Sequence, residues 1–151
     1  MPLPNVLFDR VGVESVALRG VSRETVGHAV AAPADVVFSP KRSVQPDLFV
    51  APLAAGRRPR HFSDVGRLLL AIEVLSPGTA RADRVKKRTL FRTQGVDEYW
   101  VIDMDARTVE RSTPVDERVE VLAEMIGWSP RGASAPLAID LPSYFQQVLD
   151  A

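Results

Sequence analysis

Apolar runs separated by Pro, Gly and charged segments predict short strands and two helices along this chain. The longest run, residues 68–75, predicts a central strand buried on both faces, and Ser, Pro and Gly end it at 76–78. Residues 80–94 are charged and contain no Gly or Pro, which predicts a helix that ends at Gly95 in the C′ position.

The remaining pattern completes an α+β domain. It predicts a hairpin turn over residues 40–43 and a terminal helix over 141–149 with Pro142 near its start. Further strands are predicted over residues 34–39, 44–50, 98–103, 108–113 and 119–125. The expected order is β-β-β-α-β-β-β-α around one mixed sheet with flanking helices. Residues 34–151 form the predicted domain, and residues 1–33, which lack a firm period, are a poorly defined N-terminal segment of it.

Composition narrows the chemistry of any metal site. The 151 residues include no Cys, which excludes disulfides and thiolate ligands, and only two His, which makes a zinc site of several histidines a poor expectation. A bound metal would have oxygen ligands, as Mg²⁺ or Mn²⁺ prefers. No apolar run approaches the ~20 residues that span a bilayer, and no signal pattern opens the chain, so a cytoplasmic protein without membrane contact is expected.

Charge is segregated although the net charge is zero. Residues 57–92 hold ten Lys and Arg against three acidic residues, a net charge of +7, and the rest of the chain has −7. A basic face of this kind predicts nucleic-acid contacts, and a solvated helix face with a basic loop is the alternative that composition leaves open. The candidate nucleic-acid-binding residues are Arg57, Arg58, Arg60, Arg84, Lys86 and Arg88.

One carboxylate, Glu73, interrupts the apolar strand 68–75. A buried carboxylate must be paired, protonated or bound to a cation. Asp47 opens an earlier predicted strand and Lys87 lies on the predicted helix, and two carboxylates with an ammonium suit a divalent-metal phosphodiesterase. The backbone carbonyl of Val74 is the candidate for a further oxygen ligand. The structural alternatives are a salt bridge for Glu73, a turn for Asp47, and for Lys87 a surface pair with Asp83.

Four segments together resemble the Uma2 family of restriction-endonuclease-like proteins, a branch of the PD-(D/E)XK nuclease superfamily that is common in bacteria. The resemblance extends over residues 34–103, in order and with compatible spacing. It rests on Pro46-Asp47, on Ile72-Glu73-Val74-Leu75-Ser76-Pro77, on Asp83-Arg84-x-x-Lys87-x-x-x-Phe91 and on Gly95-Val96-Asp97-Glu98-Tyr99-Trp100-Val101-Ile102-Asp103.

The resemblance implies a restriction endonuclease-like fold and a Mg²⁺-dependent endonuclease that hydrolyses DNA. It implies that Asp47 and Glu73 bind the metal and that Lys87 is the catalytic lysine, displaced onto the helix because Leu75 stands at the usual lysine position. Restriction-type nucleases often pair two sites in a homo-oligomer to cut two strands, and the sequence leaves the oligomeric state of this chain open.

Two departures from the family pattern motivate an alternative function. The N-terminal segment is short and lacks the acid and histidine usual there, and Phe91 replaces a tyrosine. The alternative is a catalytically inactive nucleic-acid-binding or assembly module on the same fold.

Overall fold

The computed structural model describes residues 27–31, 36–39, 42–44, 48–52, 68–75, 81–116, 118–129 and 137–150. These residues form ten strands and two helices. The strands are β1 (Gly27–Ala31), β2 (Val36–Ser39), β3 (Arg42–Val44), β4 (Leu48–Pro52), β5 (Leu70–Leu75), β6 (Tyr99–Asp103), β7 (Thr108–Ser112), β8 (Glu120–Leu122), β9 (Met125–Trp128) and β10 (Leu137–Asp140), and the helices are α1 (Arg81–Thr93) and α2 (Leu141–Leu149).

A six-stranded mixed sheet in the order β1-β4-β5-β6-β7-β8 organises the fold. Its pairs are antiparallel except β5 with β6, which are parallel and are joined through α1. A parallel pair needs such a crossover because a tight turn can only reverse the chain direction. The hairpins β2–β3 and β9–β10 form two small separate sheets. The predicted α+β class with a mixed sheet is confirmed.

The two faces of the six-stranded sheet have separate cores. On one face α1 covers a cluster of buried residues, namely Phe49, Ala51, Leu68, Ala71, Phe91, Val96, Tyr99 and Val101. On the other face the β9–β10 hairpin and α2 cover a larger cluster that includes Trp100, Trp128, Tyr144 and Phe145. Alternation along each strand sends neighbouring residues into different clusters, as Tyr99 and Trp100 illustrate.

Local contacts fix both ends of α2. Asp140 caps its first turn, where the carboxylate Oδ1 accepts a hydrogen bond from the Ser143 amide at 3.1 Å, and Pro142 occupies the first turn, where no amide hydrogen is needed. At the other end, Arg107 in the β6–β7 turn donates two hydrogen bonds to Asp150 at 2.8 and 3.2 Å. The predicted terminal helix over 141–149 is therefore confirmed.

Two predicted strands are wrong because each is two strands in different sheets. Residues 44–50 divide between β3 and β4, on either side of Pro46, which has no amide hydrogen for a ladder. Residues 119–125 divide between β8 and β9, and the Glu124 carbonyl leaves the ladder to accept a hydrogen bond from the Leu141 amide at 2.9 Å. The predicted order of elements is wrong because these two splits turn six strands into eight and because β1 and β10 were not predicted as strands.

Part of the predicted N-terminal segment belongs to the main sheet. Strand β1, at residues 27–31, pairs along its length with β4 and forms one sheet edge. Among the described residues, no helix has the length and apolar character of a membrane span.

Candidate active site

Glu73 lies near the end of β5, an inner strand between β4 and β6. Ala71 precedes it by two residues and faces α1, so alternation puts the Glu73 side chain on the α1 face as well. Only 14% of its side-chain surface is exposed. A carboxylate this sheltered needs donors or a cation around it.

Lys87 supplies one such partner. Its ammonium Nζ lies 3.2 Å from Glu73 Oε2, while 40% of the lysine side chain stays exposed. Phe91, four residues later and therefore on the same helix face, is buried in the core between α1 and the sheet. The i, i+4 spacing expected of this helix thus brings one charged and one aromatic side chain to the sheet. Asp83, the third residue in that row, has its side chain outside the described part of the structure.

Tyr99 is a second partner of Glu73 that the sequence analysis did not assign to the site. Its hydroxyl donates a hydrogen bond to Glu73 Oε2 at 3.1 Å, so both donors reach the same oxygen. The ring stacks on Phe91 with centroids 4.6 Å apart and planes 27° apart. Alternation from Trp100 could have placed Tyr99 on the α1 face, whereas its proximity to Glu73 depends on the register of β5 with β6.

The C-terminal end of α1 fixes the position of Phe91. Gly95 adopts a φ of +72°, and its amide donates to the Arg92 carbonyl at 3.1 Å. The Val96 amide donates to the Phe91 carbonyl at 3.1 Å, which completes a Schellman motif. Val96 and Phe91 also share the apolar cluster under α1, so the helix ends where its aromatic residue meets the sheet. The predicted C′ role of Gly95 is confirmed.

Asp47, the predicted second metal ligand, lies outside the described residues. The next residue in the chain, Leu48, pairs with Ile72, which precedes Glu73, across the β4–β5 ladder. Phe49, which shares the strand face predicted for Asp47, is buried in the cluster under α1. The described part of β4 is therefore adjacent to Glu73.

Glu73 is the type of ligand that a hard divalent cation prefers, but the described residues supply only part of the ligands that such a cation needs. Glu73 is an oxygen ligand, and its Oε2 already attracts one cationic group, the Lys87 ammonium. Among the described residues, no three His, Cys, Asp or Glu side chains cluster as a complete metal site would. The Val74 side chain packs toward the opposite core, so only its backbone carbonyl could contribute.

Glu98 is separate from this site although it lies close to it in sequence. Its Oε2 accepts a hydrogen bond from the Trp100 indole at 2.8 Å, on the face covered by the β9–β10 hairpin. Burial raises the pKa of the Glu98 carboxyl, and the Trp100 hydrogen bond and the charge of Arg111 oppose that shift in pKa.

The predicted nucleic-acid-binding residues divide into two groups. Arg57, Arg58 and Arg60 lie outside the described residues. On α1, Lys86 is exposed and Arg88 half-buried, and Arg84 forms an ion pair with Glu110 of β7, with a shortest distance of 3.4 Å. The helix that holds Lys87 therefore also holds three of the six predicted phosphate contacts.

Comparisons with known proteins bear on the family and the fold of this chain. The family model described as "Uma2: Putative restriction endonuclease" matches residues 15–140. A crystal structure described as that of "a putative nuclease belonging to DUF820" from Anabaena variabilis superposes with a TM-score of 0.72 at 20% sequence identity, covering 99% of this chain and 83% of the other. At this identity the superposition establishes a shared fold. No curated protein matches the chain.

Proposed function

The chain belongs to the Uma2 family, and we propose from that premise that it is a metal-dependent endonuclease that hydrolyses DNA phosphodiester bonds. The observation that supports this function most directly is the contact between Lys87 and Glu73, 3.2 Å apart, at the end of an inner strand. Family membership makes a nuclease the expected activity, and Glu73 and Lys87 are the residues that we propose for it.

Glu73, Asp47 and the Val74 carbonyl are the proposed ligands of Mg²⁺ or Mn²⁺. When bound, the cation would neutralise phosphate oxygens and acidify an attacking water. The proposed role of Glu73 is to hold the cation from a sheltered, rigid strand. Asp47 would hold it from the neighbouring strand, because Leu48, the residue after Asp47, pairs beside Glu73.

Lys87 is the proposed catalytic lysine. Its long side chain is 40% exposed, so the ammonium can turn from Glu73 toward a bound phosphate or its attacking water. A positive charge at that point stabilises negative charge that develops on the phosphate in the transition state. DNA would be bound along the same helix by Lys86, Arg88 and Arg84, with Arg57, Arg58 and Arg60 from the preceding basic segment.

The test is cleavage of a supercoiled plasmid in Mg²⁺ by the wild type and by Glu73→Gln. We expect the substitution to slow cleavage by roughly 100-fold or more, because a metal site supplies several kcal/mol of charge stabilisation and each ~1.4 kcal/mol is tenfold in rate. The matched control is Glu120→Gln, which breaks the ion pair with Arg111 between β8 and β7, away from α1, and should cut normally.

Two outcomes would contradict the proposal in different ways. Equal cleavage by the wild type and Glu73→Gln would remove Glu73 from the active site. Salt-dependent DNA binding by the wild type without any cleavage would favour the alternative function, an inactive nucleic-acid-binding module on the same fold.

A further inference from the structure

Two donors meet at one oxygen of Glu73, and they differ in character. Lys87 is charged, half-exposed and attached through a flexible four-carbon stem. Tyr99 is neutral, only 3% exposed and stacked on Phe91. A lysine with this freedom fixes the orientation of a carboxylate poorly, whereas a buried ring has one position.

We propose that Tyr99 is a positioning residue that holds the Glu73 carboxylate in its working orientation, an inference that rests on the proposed function. The hydroxyl of Tyr99, 3.1 Å from Glu73 Oε2, fixes that oxygen independently of Lys87. Lys87 is then able to leave Oε2 for the substrate while Glu73 keeps its orientation. Hydrogen bonds from neighbouring residues to metal-binding carboxylates commonly have this role.

The register of the parallel strands explains how Tyr99 reaches Glu73. Tyr99 pairs with Ala71, and Glu73 pairs with Val101, so the hydroxyl crosses diagonally to a residue two positions farther along β5. Ala71 has only a methyl side chain on the shared face, which leaves space for the ring to lie along the strand. Phe91 then covers the ring from the α1 side.

Stacking on Phe91 connects Tyr99 to the helix that holds Lys87. The Schellman motif at Gly95 sets where Phe91 meets the sheet, and Lys87 lies one helical turn before it. One helix therefore delivers the lysine to Glu73 directly and fixes Tyr99 through its aromatic residue.

The experiment compares Tyr99→Phe with Tyr144→Phe. The chain has only two tyrosines, and both are at least 97% buried, but Tyr144 lies in the opposite core. Each variant loses one buried hydroxyl and keeps its ring, so the pair separates the effect on Glu73 from a general loss of stability. The readouts are kcat and KM for a DNA duplex, Mn²⁺ affinity by calorimetry without DNA, and the unfolding midpoint.

For Tyr99→Phe we expect kcat or Mn²⁺ affinity to fall about 10-fold or more, the usual effect of removing such a hydrogen bond, with KM for DNA unchanged. For Tyr144→Phe only the unfolding midpoint should change. Phe91→Leu, which removes the stacked ring but leaves the hydroxyl, should lower the same two quantities by a smaller factor.

The outcomes distinguish a failure of the positioning role of Tyr99 from a failure of the proposed function on which it rests. A wild type that neither binds Mn²⁺ nor cuts DNA overturns the proposed function and the role of Tyr99 with it. A wild type that binds or cuts, with Tyr99→Phe indistinguishable from Tyr144→Phe in kcat and Mn²⁺ affinity, overturns the positioning role alone.

Discussion

The two faces of the six-stranded sheet divide stability and chemistry between them. Among the described residues, the face under the β9–β10 hairpin and α2 has thirteen buried apolar residues, including both tryptophans, and the face under α1 has eight. The smaller core also contains the charged contact between Lys87 and Glu73. A sheet can hold a sheltered carboxylate on one face because the other face provides most of the apolar burial.

The largest expected effect is a loss of stability from a substitution on the face under the β9–β10 hairpin. Trp128 is buried on β9 and packs edge-on against Trp100, with ring centroids 6.5 Å apart and planes at 80°. Trp128→Ala should lower the free energy of unfolding by about 3–5 kcal/mol, from lost burial and the cavity left behind. Urea titration followed by circular dichroism measures this loss.

The same titration of Glu73→Gln measures how much the charged contact on the α1 face contributes to stability. Glu73→Gln should change the free energy of unfolding by about 1 kcal/mol or less, because Lys87 is half-exposed and can turn to water. The same substitution should slow cleavage by roughly 100-fold or more, while Trp128→Ala should leave the folded fraction active. Equal stability losses from the two substitutions would contradict the division between the faces.

The sequence predicted the elements whose signals are local. The apolar run at 68–75 became the inner strand β5, and the helix predicted over 80–94 is Arg81–Thr93. The β9–β10 hairpin was missed because β10 has only four residues and leads directly into α2, so it carries too short an apolar pattern to predict a strand. The signal on β9 is clearer, since Ile126 and Trp128 alternate with exposed residues as a strand requires.

The residues of the candidate site were also predicted only where their signals are local in the sequence. The helical spacing of Lys87 and Phe91 was evident in the sequence, and so was the anomaly of Glu73 within an apolar strand. The contact from Tyr99 was not, because it depends on the register between two parallel strands joined by a helix. Asp47 stays a prediction, since it lies outside the described residues.

A smaller effect on stability is expected at the C-terminal end of α1. Gly95 has a φ of +72°, and a Cβ added there would have no heavy atom within 4 Å, so any cost of substitution is conformational. Gly95→Ala should lower the free energy of unfolding by roughly 1–2 kcal/mol, the penalty of the left-handed region for an L-residue. Urea titration measures it.

Gly95→Asn is the matched variant, because Asn tolerates the left-handed region better than Ala does. It should lose less stability than Gly95→Ala. Equal losses in the two variants would show that the end of α1 depends on something other than backbone conformation, and would weaken the account of how Phe91 is fixed.

The smallest effect concerns Glu98, the carboxylate on the hairpin side, and it depends on pH. Burial raises the pKa of Glu98 in the folded protein above its ordinary value. Its contribution to stability is therefore fully present below the ordinary pKa of glutamate and is lost as the pH rises through the raised pKa. Glu98→Gln keeps an acceptor for Trp100 and does not titrate, so its stability relative to the wild type should increase with pH across that range.

Urea titrations over a pH series measure the trend, and Glu98→Ala is the control. The alanine variant leaves the Trp100 indole without its Glu98 acceptor, so it should show a loss that is independent of pH added to the same trend. A stability difference between Glu98→Gln and the wild type that stays constant with pH would mean that burial does not govern this carboxylate. Glu73 has the ammonium of Lys87 as a partner, whereas the Glu98 carboxylate has a neutral indole donor and burial opposes its charge. A constant difference would therefore contradict this contrast between the carboxylates on the two faces.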